Sequence, residues 1–421
     1  RGFTAEGSPV HAPTSRGQRS LDFDPGDELR AVVAAQVVFT IGHVLTTGAF
    51  LTYFAYALQP TTLMLAVLAV TPEISETVAI WSRSVILALG SRKRTWLIGF
   101  ILARVAALGI PAMAIPVLRP DDTAAFWILI ASLAVSHACQ SIAYTAYISW
   151  LSDLFPRQNW GSAFALRRIA HVAVMILIPA IAALLRRDWN QWTADDAVRR
   201  AYFAVFLGGN VLLWLTLLPV WRLPDLPIEW NSAAGPSFAG AVAAVWRSQP
   251  LRLVVASALW LSAFQGFSQT AVLQYSIGVL NVPLEAYLLL SGLMYALQIP
   301  ISWWGGVLSD RGQDRRGLVV GLYLVSSAMG FWMLARPGHA NWLIAAYAVW
   351  GLFGLVNICQ RNLLLKTAAA SDNAVPIAVL EHVAGLVAGL AGLAGGWLLA
   401  QLVRQSAQEA AVWPYLVIFL I

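Results

Sequence analysis

Apolar residues run through this chain in long stretches set apart by short polar links. A helix needs ~20 consecutive apolar residues to cross ~30 Å of hydrocarbon. Stretches of that length fall at 31–57, 61–89, 95–118, 123–152, 162–185 and 201–221. A second set falls at 251–277, 285–308, 317–335, 340–365 and 374–403, and a shorter apolar run follows from 411. Between the sets lies a polar, proline-bearing stretch, WRLPDLPIEWNSAAGPSFAG, at 221–240. The pattern predicts an all-α integral membrane protein. Two six-helix bundles, 31–221 and 251–421, are joined by a cytoplasmic linker at 222–250. The final run is too short to cross, so the last helix is expected to be incomplete and the sequence to be cropped at both ends. Residues 1–30 are polar, lack the apolar core of a signal peptide, and read as a disordered cytoplasmic tail.

Composition agrees with the pattern. The 421 residues are 59% hydrophobic and 11% charged, whereas a soluble protein carries about a quarter charged. The 19 Trp residues suit aromatic belts at the two membrane faces. Lys and Arg in the links then set the orientation. With the N-terminus inside, the inner links hold Arg92, Lys93, Arg94, Arg157, Arg222, Arg247, Arg311, Arg315, Arg316 and Lys366. The outer links hold Arg119, Arg336, Arg404 and the one dissenting cluster, Arg186, Arg187, Arg199 and Arg200. The expectation is a cytoplasmic N-terminus in a bacterial-type inner or plasma membrane. The net charge of +6 therefore needs no nucleic acid to explain it. Cys139 and Cys359 lie inside apolar stretches without Cys or His at ligand spacing, so neither a disulfide framework nor a metal site is expected. No phosphate-cradling loop follows a strand, and no catalytic Ser/His/Asp or HExxH spacing occurs. The reading is not an enzyme, with no cofactor.

The two halves echo each other. Cys139-Gln140 recurs as Cys359-Gln360 at an offset of 220, and Ser152-Asp153 with Pro156 recurs as Ser371-Asp372 with Pro376. A shared offset equal to the spacing of the two sets argues for an internal repeat.

The link after the eighth stretch reads WWGGVLSDRGQDRRG, at 303–317. Gly306, Leu308, Asp310, Arg311, Arg315 and Arg316 resemble the signature loop of the major facilitator superfamily, Gly-x-Leu-x-Asp-Arg with paired distal basic residues. The likeness in span number, central linker and repeat covers nearly the whole chain, and the motif covers this one loop. The resemblance implies a secondary transporter, a monomer that rocks two bundles around a central cavity to move a small-molecule substrate, with or without protons. Gly305 and Gly306 would let a neighbouring helix approach closely. The first-half copy departs from the pattern. GSRKR at 90–94 keeps the basic tail, but Ala88 stands where the acid belongs. That departure keeps open a non-transporting sensor or assembly scaffold with the same fold. A membrane-embedded lipid-modifying enzyme would need a catalytic cluster at one headgroup layer, and none is visible.

In the facilitator fold, spans two and eleven face each other across the bundle interface, as do spans five and eight. The resemblance thus points to two interbundle pairs closing the cytoplasmic side: Arg83 with Glu381, and Arg167 or Arg168 with Asp310. The alternative is that each group snorkels to its own headgroup layer. By the repeat, Asp153 belongs near Arg92–Arg94, and Asp372 near Arg311. Glu73 and Glu76, one turn apart on span two, are proton-coupling candidates, because an ionisable group at mid-depth is costly without a role. Arg104 stands at about the level of Glu76 across the hairpin, which leaves Glu73 without an obvious partner. Cavity-lining spans one, four, seven and ten offer His43, His137, Gln140, Gln265, Gln269, Asn357 and Gln360, with His171 of span five nearby. Interhelical hydrogen bonding is the plain alternative for each. Together these mostly uncharged groups suit a neutral polyol, a nucleoside-like solute or an amphipathic drug. Gly385, Gly389, Gly392, Gly395 and Gly396 mark span eleven for close packing.

Overall fold

The computed structural model describes residues 25–115, 121–155, 160–189, 195–226, 238–367, 374–406 and 411–421. Eleven helices among them are long and apolar enough to cross a membrane. In chain order they are Gly26–Ala57, Thr62–Leu89, Arg92–Met113, Asp122–Leu151, Leu166–Leu185 and Val198–Trp221, spans 1 to 6. Spans 7 to 11 are Leu251–Val279, Leu284–Ser309, Asp314–Leu334, Trp342–Leu364 and His382–Gln405. A short apolar helix, Trp413–Leu420, follows. Several starts are capped as their sequences direct. Thr61, Ser91 and Asp121 each accept a hydrogen bond from the backbone N–H three residues on, satisfying a donor that the helix leaves unpaired.

Two boundaries differ from the sequence reading. Helix already begins at Pro25, inside the expected tail, with Asp27 and Glu28 in a first turn that favours acids. The expected linker also contains a helix, Phe238–Arg247. Val242 and Val245 form an apolar stripe on it, and Val245 is buried with Leu251, Val254, Val255 and Leu364. Residues 1–24 and 227–237 lie outside the described residues.

The spans are not uniform rods. Span 1 breaks at Gly48, whose φ of 57° is a left-handed conformation that glycine adopts without strain. Just before it, the Thr46 and Thr47 hydroxyls donate to the Gly42 and His43 carbonyls, competing with the helical ladder. Span 2 tightens into a 3-10 turn at Thr77–Trp81, directly after Glu76. Span 7 ends in a π-helical turn at Tyr275–Val279.

Packing repeats between the halves. Span 3 lies on span 4, span 2 on span 4, and span 1 on spans 5 and 6. Six spans later, span 9 lies on span 10, span 8 on span 10, and span 7 on span 11 and on Trp413–Leu420. Small residues permit the close approaches at matching places. A Cβ on Gly99 of span 3 would meet the Cys139 carbonyl at 3.1 Å, and one on Gly317 of span 9 would meet the Cys359 sulfur at 2.6 Å. The bundles meet along two seams, span 2 against span 11 and span 5 against span 8. In the first seam Gly385, Gly389, Gly392 and Gly396 face Glu73, Ile74, Val70 and Ala66 in turn. Gly395 and Gly266 instead abut the backbone carbonyls of Phe267 and Ala388, binding span 11 to span 7.

Candidate functional site

Polar side chains concentrate inside the first bundle. Arg104 of span 3 is only 4% exposed. Its guanidinium lies 4.9 Å from the Phe100 ring centre and 6.0 Å from that of Phe39, with Nη2 donating to Gln140 Oε1 at 2.5 Å. Around it His43, Ser136, His137, Thr46 and Thr47 line a small cavity. The His43 ring stacks on Phe39 at 5.6 Å. His137 Nδ1 stands 3.6 Å from Glu76 Oε1, and Ser141 donates to the Glu76 carbonyl. One turn deeper in span 1, Thr40 Oγ1 is 3.2 Å from His171 Nδ1 of span 5, and Gln36 donates to Thr40. Three candidate residues, His43, His137 and Gln140, thus converge, and His171 sits one step away. Arg104 partners Gln140 rather than Glu76, and His137 takes Glu76.

The second bundle does not complete the same cluster. Gln265 and Gln269 of span 7 and Asn357 of span 10 are exposed, while Gln360 is half-buried. Glu73 points elsewhere again. It is half-buried in the seam with span 11, and a Cβ on Gly385 would sit 3.9 Å from Glu73 Oε2. The two glutamates therefore serve different places, Glu76 the first-bundle cluster and Glu73 the interface.

At the end of the bundles carrying residue 25, the loop after span 8 turns at Gly312, φ 70°. The Gly312 and Gln313 N–H groups close the helix on the Ser309 and Leu308 carbonyls. Leu308 packs against the Leu318 and Leu355 cluster. Arg311, Arg315 and Arg316 are exposed. Of the two glycines expected to admit a neighbour, Gly305 does so against Leu355 and Ile358, whereas Gly306 faces open space. The buried acid here is Asp314. Its Oδ2 accepts from Lys366 Nζ at 2.6 Å, Lys366 also reaches the Ser309 carbonyl, and Asn362 donates to Ser309 Oγ. The side chains of Asp310, Glu381 and Asp153, and all of Asp372, lie outside the described residues, so the gate and repeat pairs built on them have no geometry here. Arg83 and Arg168 are exposed. Arg167 turns into its own bundle, 5.7 Å from the ring centres of Tyr144 and Tyr147.

The corresponding loop in the first half is closed by groups at the end of span 6 and just beyond it. Ser91 Oγ donates to both Asp225 oxygens, at 2.9 and 2.8 Å. Lys93 reaches the Trp221 and Leu223 carbonyls, and Trp150 Nε1 donates to the Pro224 carbonyl. At the opposite end, Tyr53 Oη crosses between the bundles to the Val282 carbonyl at 2.6 Å, and its ring meets Tyr287 edge-on at 5.7 Å. Sequence reasoning missed Asp314, Lys366, Asp225 and Tyr53 as partners. Only Asp314, in the first turn of a helix, carried a local signal.

The family model described as Major Facilitator Superfamily matches residues 32–400. Among curated protein sequences no match is found. Among solved structures, a point mutant of the nucleoside transporter NupG is similar with a TM-score of 0.65 at 14% identity, over 94% of this chain and 95% of that one. A D-xylose–proton symporter is similar with a TM-score of 0.63 at 16% identity, over 94% and 95%. The inward-open xylose transporter XylE from E. coli gives a TM-score of 0.62 at 15% identity, over 93% of each chain.

Proposed function

The chain belongs to the Major Facilitator Superfamily, a multi-pass secondary transporter of a small solute, and on that premise we propose that it carries an uncharged, hydrogen-bonding solute by alternating access with a proton. The solute is read from the donor and acceptor set of spans 1, 4, 7 and 10, which offers amides and imidazoles rather than clustered charges. The proton is assigned to Glu73. An ionised carboxyl pressed into an apolar helix seam loses its water, whereas a protonated one seats there at less cost. Protonation and the closing of the seam are thereby coupled.

The observation that carries this reading is the position of Glu73 beside Gly385 of the opposite bundle. Its carboxyl stands where the two bundles must move against one another. We assign the N-terminus to the cytoplasmic side on the surplus of Lys and Arg in the links that share its side. On that orientation the Tyr53 bond closes the outer end, and exposed Arg83 and Arg168 belong to an inner end whose pairs with Glu381 and Asp310 form when it closes. Of the two span 5 arginines, Arg168 is assigned to that pair, because Arg167 is turned onto Tyr144 and Tyr147.

A thermal-shift panel of sugars, nucleosides, organic acids, amino acids and amphipathic cations, read at acidic and at neutral pH, tests this. A ligand that binds the folded protein raises its melting temperature. The expected result is a shift from one class of neutral solute, larger at acidic pH, whose pH dependence is lost in Glu73→Gln. A panel without any shift would overturn the transport reading in favour of a scaffold. An unchanged pH dependence in the variant would remove Glu73 from the mechanism.

A further inference from the structure

Arg104 raises a problem of charge that the transport reading leaves unsolved. It lies in the middle of span 3, about 18 Å along the helix from Arg92 at 1.5 Å per residue, and is 4% exposed. An isolated charge at that depth is expensive. A buried lysine could shed its proton, but a guanidinium stays charged in proteins. Among the described residues its one hydrogen-bond partner is the neutral Gln140 amide oxygen, and its Nε is buried with no partner among them. Among the described residues no carboxylate pairs with it, and Glu76, the acid nearest in the cluster, stands beside His137.

No acid lines the cavity at this guanidinium. His43, Ser136, His137 and Gln140 line it as donor-bearing side chains together with Arg104, while the Thr46 hydroxyl, also in its wall, is spent on the Gly42 carbonyl. With its oxygen turned to Arg104, Gln140 has its amide N–H groups left to donate. The volume, about 20 Å³, exceeds the ~10–15 Å³ that one water-sized occupant needs and is too small for a sugar or nucleoside. A single buried cation, surrounding donors and space for one small occupant are complementary to one small anion.

We propose that the cavity between spans 1, 3 and 4 binds one small monovalent anion on Arg104. The shared chemistry is a halide ion or the carboxylate group of a small organic acid. With the anion in place the charge of Arg104 is balanced inside the bundle, and the wall it presents to a neutral solute carries no net charge. The site goes beyond the transport reading and stands without it, because it is defined by residues of one bundle.

The test uses the purified full-length protein in detergent, exchanged into gluconate, an anion too large for the cavity. Chloride, bromide, acetate and gluconate are then titrated at matched ionic strength while the melting temperature is followed. The expected result is a saturable rise with chloride and bromide, or with acetate, that gluconate does not produce and that disappears in Arg104→Gln. A halide-selective rise assigns the site to an inorganic ion, and an acetate-selective rise assigns it to a carboxylate. Equal effects of all four salts, or a saturable rise that survives in Arg104→Gln, would overturn the proposal. Should Arg104→Gln fail to fold, crystals of the unaltered protein grown in bromide decide. An anomalous peak beside the Arg104 guanidinium supports the site, and its absence at a bromide concentration that saturates the thermal shift sinks it. None of these readouts requires a transported solute, so a failed anion site and a failed transport reading are told apart.

Discussion

The loops after spans 2 and 8 occupy equivalent places in the two halves, yet they are closed by different chemistry. In the second half, buried Asp314 accepts from Lys366, and Ser309 takes further bonds from Lys366 and Asn362. All four residues belong to one bundle. In the first half neither acid stands in the loop: with Gly90 set on Gly312, Ala88 falls at Asp310 and Arg92 at Asp314, and the carboxylate arrives from beyond span 6 as exposed Asp225 on Ser91. A serine at a helix end receives or gives the stabilising bond in each. What differs is whether the charge is buried, and burial decides how much its loss costs.

The largest expected effect is at Lys366. Its side chain is 50% exposed while that of Asp314 is 4% exposed, so Lys366→Met leaves a buried carboxylate with only the Ser309 hydroxyl and its own backbone N–H to hold its charge. Thermal unfolding of the purified protein should show a loss of about 3–5 kcal/mol. Asp314→Asn leaves a lysine that can turn to water, and the loss should fall to about 1.5–3 kcal/mol, that of a charge-assisted hydrogen bond. Next comes Ser91→Ala, which removes the cap on the Arg94 N–H and the partner of Asp225, worth about 1 kcal/mol. Smallest is Asp225→Ala at the exposed strap, about 0–1 kcal/mol and diminishing with salt. If Asp225→Ala destabilises as much as Lys366→Met, the two loops are not distinguished by burial and the comparison collapses.

Much of the architecture was legible in one dimension. Hydropathy placed the spans because each must be apolar for its own length whatever it packs against. The shared offset of Cys139-Gln140 and Cys359-Gln360 pointed to a repeat that the packing of span 3 on span 4 and span 9 on span 10 reproduces. The glycines of span 11 announced a close approach, and that approach is to span 2 on one face and span 7 on the other. The candidate site was legible only in part. His43, His137 and Gln140 were singled out as polar residues on cavity-lining spans, but nothing local indicated that Arg104 would be their centre.

The sequence by itself determined which stretches are long and apolar enough to cross a membrane, that they form two repeated sets, and which polar residues had to be accommodated in hydrocarbon. Only the tertiary structure decided who accommodates them. Thr40 meets His171 across 131 residues of chain, Ser91 meets Asp225 across 134, and Glu73 and Glu76, neighbours on one helix, part to an interface and a cluster. A span's apolar character depends on its own residues alone. A polar partnership depends on how two helices are rotated and shifted against each other, which close packing at small residues sets.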